Sequence, residues 1–132
     1  MRVLIAGCGY VGSALAARLV ATGAKVVGLR RRAAALPPGV VPIAADLADP
    51  GALRALPGPF DAVVYAAAPD RREEAAYRAV YADGVARLVE ATAGARFVFV
   101  SSTSVYAQDD GAWVDETSPT EPGGFTGRLV LE

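Results

Sequence analysis

Histidine is absent from the 132 residues, cysteine, methionine and tryptophan occur once each, and the only lysine is Lys25. With no histidine and a single cysteine, Cys8, the chain lacks the nitrogen and sulfur ligand set of a transition-metal centre. It has no histidine for a nucleophilic triad and no second cysteine for an internal disulfide. A lone thiol fits a reducing compartment, so a cytoplasmic location is expected. Neither sign of charge dominates. Thirteen basic and fourteen acidic residues leave a net charge of −1, which gives no reason to expect nucleic acid or an anionic membrane as partner. Although 53% of the residues are apolar, no apolar run reaches the roughly 20 residues of a membrane span. The first apolar stretch is broken by three glycines and no cleavage-type segment follows, so it does not read as a signal peptide.

What is there is an alternation of strand and helix patterns, in a length that suits one domain with a real core. Short apolar runs of the kind buried in a parallel sheet fall at Arg2–Ala6, Lys25–Leu29, Val40–Ala44, Asp61–Ala67 and Arg96–Ser101. Pro42 assigns the third run to a sheet edge. Helical spacing covers Val11–Ala21, stopped near Gly23, and Arg71–Ala93, with Gly84 in its middle. A short helix is expected over Asp49–Leu56 and a helical start at Thr126–Glu132. The segment 30–39 reads as a loop with at most one helical turn, and Thr103–Gly124 as a polar, irregular stretch. This pattern implies an α/β fold of the Rossmann-like, doubly wound kind. Its parallel sheet takes the order 3-2-1-4-5 in a three-layer α/β/α arrangement, with a switch point between strands 1 and 4.

The turn after strand 1 reads GCGYVG. Three glycines also serve a plain strand–helix turn. Here, however, Gly7 directly follows a strand and Gly12 opens a helix, the context in which this spacing marks a dinucleotide site. Gly7 permits the tight turn, Gly9 lets backbone approach a pyrophosphate, and Gly12 lets the helix pack on the strand. The phosphates would meet N–H groups around Tyr10 and Val11, at the positive end of the helix dipole. Strand 2 ends GLRRR, which puts Arg30 where an acid would bind the ribose 2′-OH of NAD. Arg30 and Arg31 instead suit a 2′-phosphate, because a guanidinium pairs with it and a carboxylate repels it. NADP(H) is therefore favoured over NAD(H), with a solvated basic loop as the plainer alternative.

Three further segments resemble the extended and atypical short-chain dehydrogenases/reductases, including the NAD(P)-dependent epimerases/dehydratases. In ADLAD, Asp46 and Leu47 look like that family's adenine-contacting pair. In DAVVYAAAP, Ala66, Ala67 and Ala68 resemble the small residues passing under the cofactor. FVFVSSTSVYAQ is similar to the family's SSxxVYG, with Ser101 beside the cofactor, Ser102 at the catalytic Ser/Thr position and Ala107 replacing glycine. DETSPTEP looks like the lead-in to the active-site helix, and the resemblance runs from residue 1 to 132.

The family's Tyr-x-x-x-Lys is missing. Gly124 falls at the tyrosine position, with Phe125 beside it, and Arg128 falls at the lysine position. Family catalysis uses a tyrosine as acid/base, its pKa lowered by the lysine. Arg128 supplies charge but no proton near neutrality. The resemblance thus implies an NADP(H)-binding domain of an oxidoreductase acting on an unidentified carbonyl or hydroxyl substrate. A non-catalytic redox sensor or partner-binding module is the rival reading.

Other groups carry less. Tyr106 is an unusual acid or a structural residue, and Tyr77 and Tyr81, at i and i+4, suit packing of one helix face. Asp109, Asp110, Asp115 and Glu116 suit a solvated loop better than a metal site. Cys8 sits at a helix start that would lower its pKa, or is simply a small residue fitting beneath the cofactor. The closing GRLVLE reads as a helix cut short, so a substrate-binding portion is expected beyond residue 132. A bare sheet edge at strand 5 would then favour self-association.

Overall fold

The computed structural model describes residues 1–32, 36–54 and 56–132. Five parallel strands, β1 (Arg2–Ala6), β2 (Lys25–Arg30), β3 (Val40–Ala44), β4 (Ala62–Tyr65) and β5 (Arg96–Phe99), form one sheet in the order β3-β2-β1-β4-β5. The register runs Ile5 beside Gly28 and Val64, with Gly28 beside Pro42 and Val64 beside Val98. β1 is central, and its side chains are buried on both faces. Val3 and Ile5 join Val26, Cys8 and Ala16 on one face, while Leu4 and Ala6 join Val27, Leu29, Val63, Tyr65 and Leu88 on the other. That two-sided burial is why the run RVLIA is continuously apolar rather than alternating. β3 lies at an edge, as Pro42 implies.

Helix α1 (Tyr10–Ala21) covers the Val3–Ile5 face through Ala16, Leu15, Leu19 and Val20. The opposite face is covered by a helix in three parts: α2 (Glu74–Tyr77), a π-helical segment (Arg78–Gly84) and α3 (Val85–Ala91). The expected helix over Arg71–Ala93 therefore starts later and contains a wide turn. The wide turn lies against Tyr65 of β4, whose phenol donates to the Val80 carbonyl at 2.6 Å. Gly84 makes room for it, since a Cβ there would lie 2.7 Å from the Tyr65 oxygen and 2.9 Å from the Ala79 carbonyl.

Other expectations are corrected too. The helix over Asp49–Leu56 is a chain of tight turns, with Ala52 bonding to Asp49, Arg54 to Gly51 and Leu56 to Leu53. Its shortness and Gly51 in its first turn deny it a stable helical nucleus. β4 stops at Tyr65 and β5 at Phe99, short of the expected ends, although Ala66 still bonds to Ala6 and Val100 to Tyr65. Residues 33–35 of the basic loop and residue 55 lie outside the described residues. A short 3₁₀ turn (Thr103–Val105) interrupts the polar stretch, and α4 (Phe125–Leu131) closes the chain.

Tyr65→Phe leaves the Val80 carbonyl without its donor. The unfolding free energy is expected to fall by about 1–3 kcal/mol in urea denaturation, and an unchanged midpoint would show that the carbonyl finds another partner.

Candidate functional site

The site is built at the carboxyl end of β1, between its neighbours β2 and β4. Gly7 turns the chain with φ +95°, a conformation that L side chains rarely adopt. Its α-carbon presses on the chain leaving β4, so that an added Cβ would lie 2.3 Å from the Ala67 nitrogen and 2.6 Å from the Ala66 carbonyl carbon. Gly12 is buried on Gly7, where a Cβ would meet the Gly7 carbonyl oxygen at 2.3 Å. Gly9 is different: a Cβ there would meet nothing, so the space beside it is open.

The donors that the glycines bring to this site are backbone groups. The N–H groups of Gly7 and Cys8 both go to the Leu29 carbonyl, and Gly9 bonds back to Gly7. The first bond within α1 runs from Ser13 N–H to the Gly9 carbonyl, and no side chain caps the helix. Tyr10, Val11 and Gly12 therefore have no intrahelical acceptor for their N–H groups. Tyr10 is 96% exposed and Val11 is exposed as well. Three N–H groups at the start of a twelve-residue helix, beside a glycine with open space, suit an anionic diphosphate.

Cys8 points the other way. Its thiol is fully buried beneath the turn, facing the Ile5 carbonyl at 3.7 Å. Burial pushes the thiol pKa up, with Arg30 only partly opposing it. Of the two alternatives for Cys8, a pKa lowered by the helix start does not hold, because desolvation raises it at a sulfur shut away from solvent.

Around this cradle, Arg30 ends β2 half-buried, beside Ala44 of β3. Arg31 reaches across to Asp70, beyond β4, at 2.5 Å. Asp46 is exposed and folds its carboxylate onto the Ala48 N–H at 2.9 Å. Leu47 buries its side chain in the core. Arg87 of α3 donates to the carbonyls of Leu47 and Ala48 at 3.4 and 3.3 Å, and lies 3.7 Å from Asp83. Sequence reasoning missed both Asp70 and Arg87. Each partner lies about 40 residues away, and nothing local signals either pair. Ala66 and Ala67 are half-buried and Ala68 is exposed, so this small-residue run forms the wall opposite Gly7.

At the far side, Ser101 and Ser102 follow β5 and are exposed. The Ser102 hydroxyl oxygen accepts the Ser104 N–H at 3.2 Å, starting the 3₁₀ turn. Helix α4 is pressed onto that turn through buried Gly127, where a Cβ would lie 2.0 Å from the Ser104 carbonyl oxygen. The fold thereby sets the turn after Ser102 directly against the helix that carries Arg128. Gly124 caps α4 and accepts the Arg128 N–H at 3.3 Å, so positions 124 and 128 stack on one face of the helix. Arg128 is exposed and donates to the Gly123 carbonyl at 3.4 Å. Phe125 is committed to packing, its ring edge-on to Tyr77 at 5.5 Å. Tyr77 and Tyr81 pack at 5.4 Å, and Tyr81 meets Phe99 at 6.1 Å. The Tyr106 phenol donates to the Asp115 carbonyl at 2.9 Å. The Asp115 carboxylate is held below the usual carboxylate range by hydrogen bonds from Thr117 and then Ser118, and is occupied within its own turn.

The model of the NAD dependent epimerase/dehydratase family matches residues 3–125. Solved structures match over nearly the whole chain. A short-chain dehydrogenase/reductase superfamily protein from Agrobacterium tumefaciens, with bound NAD, is 31% identical with a TM-score of 0.85 over 99% of this chain and 42% of its own. A protein from Methylobacillus flagellatus, assigned as an NAD-dependent epimerase/dehydratase, is 37% identical with a TM-score of 0.81 over 98% and 47%. A UDP-glucose-4-epimerase from Stenotrophomonas maltophila, with bound NAD and formylated UDP-arabinopyranose, is 28% identical with a TM-score of 0.82 over 99% and 46%. The chain thus spans less than half the length of these three structures. A comparison with curated proteins finds no match. Among the described residues no helix is long and apolar enough to cross a membrane.

A buried thiol with a raised pKa should resist modification. In the folded chain at pH 8, Cys8 is expected to react with a chromogenic disulfide reagent on the order of 100-fold more slowly than in denaturant, the native rate still climbing above pH 9. Fast native reaction at pH 7 would mean that the thiol is ionised and open to solvent.

Proposed function

Because this chain belongs to the NAD dependent epimerase/dehydratase family and has its NAD(P)-binding, oxidoreductase-like fold, we propose that residues 1–132 form the NADP(H)-binding domain of an epimerase/dehydratase-like oxidoreductase. The observation that carries this is the uncapped start of α1. Tyr10, Val11 and Gly12 offer N–H groups beside the open face of Gly9. On this reading Gly7 and Gly12 shape the cradle and Asp46 and Leu47 receive the adenine. Ala66, Ala67 and Ala68 floor the crevice, with Ser101 on its far side. Arg30 and Arg31 supply charge for a 2′-phosphate, the feature that favours NADP(H) over NAD(H). A substrate half would belong to sequence beyond residue 132.

The bound nicotinamide would accept or deliver a hydride. The chain's own part is to orient and polarise. Among the described residues the Ser102 hydroxyl has no acceptor for its proton while its oxygen accepts from Ser104, so it can donate to a substrate oxygen. Arg128 holds positive charge on the helix packed against that turn. Neither group moves a proton near neutrality, so turnover in this chain would be slow. With Gly124 at the family's tyrosine position and the neighbouring Phe125 committed to packing on Tyr77, one second reading is favoured: a nucleotide-binding module that does not turn over. At β5, exposed Val98 and Val100 support self-association along that edge. Light scattering from a dilution series should show a dimer or larger species, and a clean monomer would overturn that part.

Calorimetric titration tests the cofactor reading. NADPH is expected to bind roughly tenfold more tightly than NADH, about 1.4 kcal/mol, and Arg30→Asp should abolish the difference. A chain that binds neither nucleotide would refute it. Hydride transfer to carbonyl compounds by a nucleotide-loaded longer chain would separate the enzyme from the module.

A further inference from the structure

Arg31 and Asp70 are 39 residues apart in sequence, on the segments that leave β2 and β4. Those strands flank β1 on its two sides, so the ion pair joins the loops on either side of the glycine turn. The contact is 2.5 Å, and both side chains are more than half exposed. Arg31 also lies near Asp46, and Asp70 near Arg32 and Arg71. The basic cluster after β2 therefore already holds an anion, and that anion is part of the chain.

We propose that Asp70 is a specificity-determining residue that occupies the Arg31 guanidinium and so weakens the chain's preference for a 2′-phosphate. This rests on the reading above that the arginines after β2 face the adenosine ribose. A carboxylate and a phosphate monoester compete for the same donor fork. The phosphate carries nearly two negative charges, so a retained Asp70 also repels it. A nucleotide with a free 2′-hydroxyl makes no demand on Arg31 and leaves the pair intact. Because the pair is solvated, its hold is modest and it yields to a ligand rather than blocking one.

The test uses 2′,5′-ADP and ADP as probes, titrated into the chain and into Asp70→Asn, which keeps the side chain's size and removes its charge. Affinity for 2′,5′-ADP should rise about three- to tenfold, with ADP affinity changed by less than about twofold, and 0.5 M salt should shrink the gain. Asp70→Ala should give the same shift in ratio, and circular dichroism would confirm that both variants fold. Equal changes for the two probes, or no change, would overturn the role of Asp70 and leave the cofactor site standing. A selective loss of ADP binding would overturn it as well, because Asp70 would then be contacting the ribose hydroxyls. If neither probe binds the parent chain, the cofactor reading fails and this inference falls with it.

Discussion

The close approach of Gly7 to the backbone of Ala66 and Ala67 is the constraint on which the rest of the crevice depends. It allows the chain leaving β4 to pass against the end of β1, where Ala66 still bonds to Ala6. A side chain at position 7 would drive those segments apart and tilt the start of α1, because Gly12 rests in turn on the Gly7 carbonyl. The stack of Ala67, Gly7 and Gly12 thus fixes where the helix begins and where its unbonded N–H groups sit. Burial of Cys8 beneath the same turn shields the thiol from solvent and raises its pKa.

A second chain of contacts runs from the sheet to the far side. Tyr65 anchors the π-helical segment through Val80, and aromatic packing continues through Phe99, Tyr81 and Tyr77 to Phe125 at the start of α4. Each ring buries apolar surface while constraining the next. The outcome is that α4 sits on the turn after Ser102, and the residue next to position 124 serves packing. Architecture alone does not decide the reaction.

Much of this was legible from local pattern. Strand positions followed from apolar runs, because β1 and β2 are buried on both faces and need continuous hydrophobicity. The edge place of β3 followed from Pro42, which donates no hydrogen bond. Helix existence was legible at α1 and near residues 74–91. Its detail was not: the π-helical turn lies against a tyrosine on another element, and no periodicity within residues 78–84 encodes that. The short helix expected over Asp49–Leu56 failed because the segment is too short to nucleate one, with Gly51 in its first turn. Cys8 is buried, and burial raises its thiol pKa, which a helix-dipole argument cannot see.

By itself the sequence determined the order of elements, the glycine turn between strand and helix, and the run of arginines at the end of strand 2. These are local matters, set by spacing, backbone freedom and charge at stated positions. Only the tertiary structure decided which distant groups meet. It set Arg31 against Asp70, Arg87 over the Leu47–Ala48 carbonyls, and Gly127 on the Ser104 carbonyl. The first arises because the sheet order lays β2 and β4 on either side of β1, and the other two because helices α3 and α4 pack onto loops distant in sequence, which no local signal encodes.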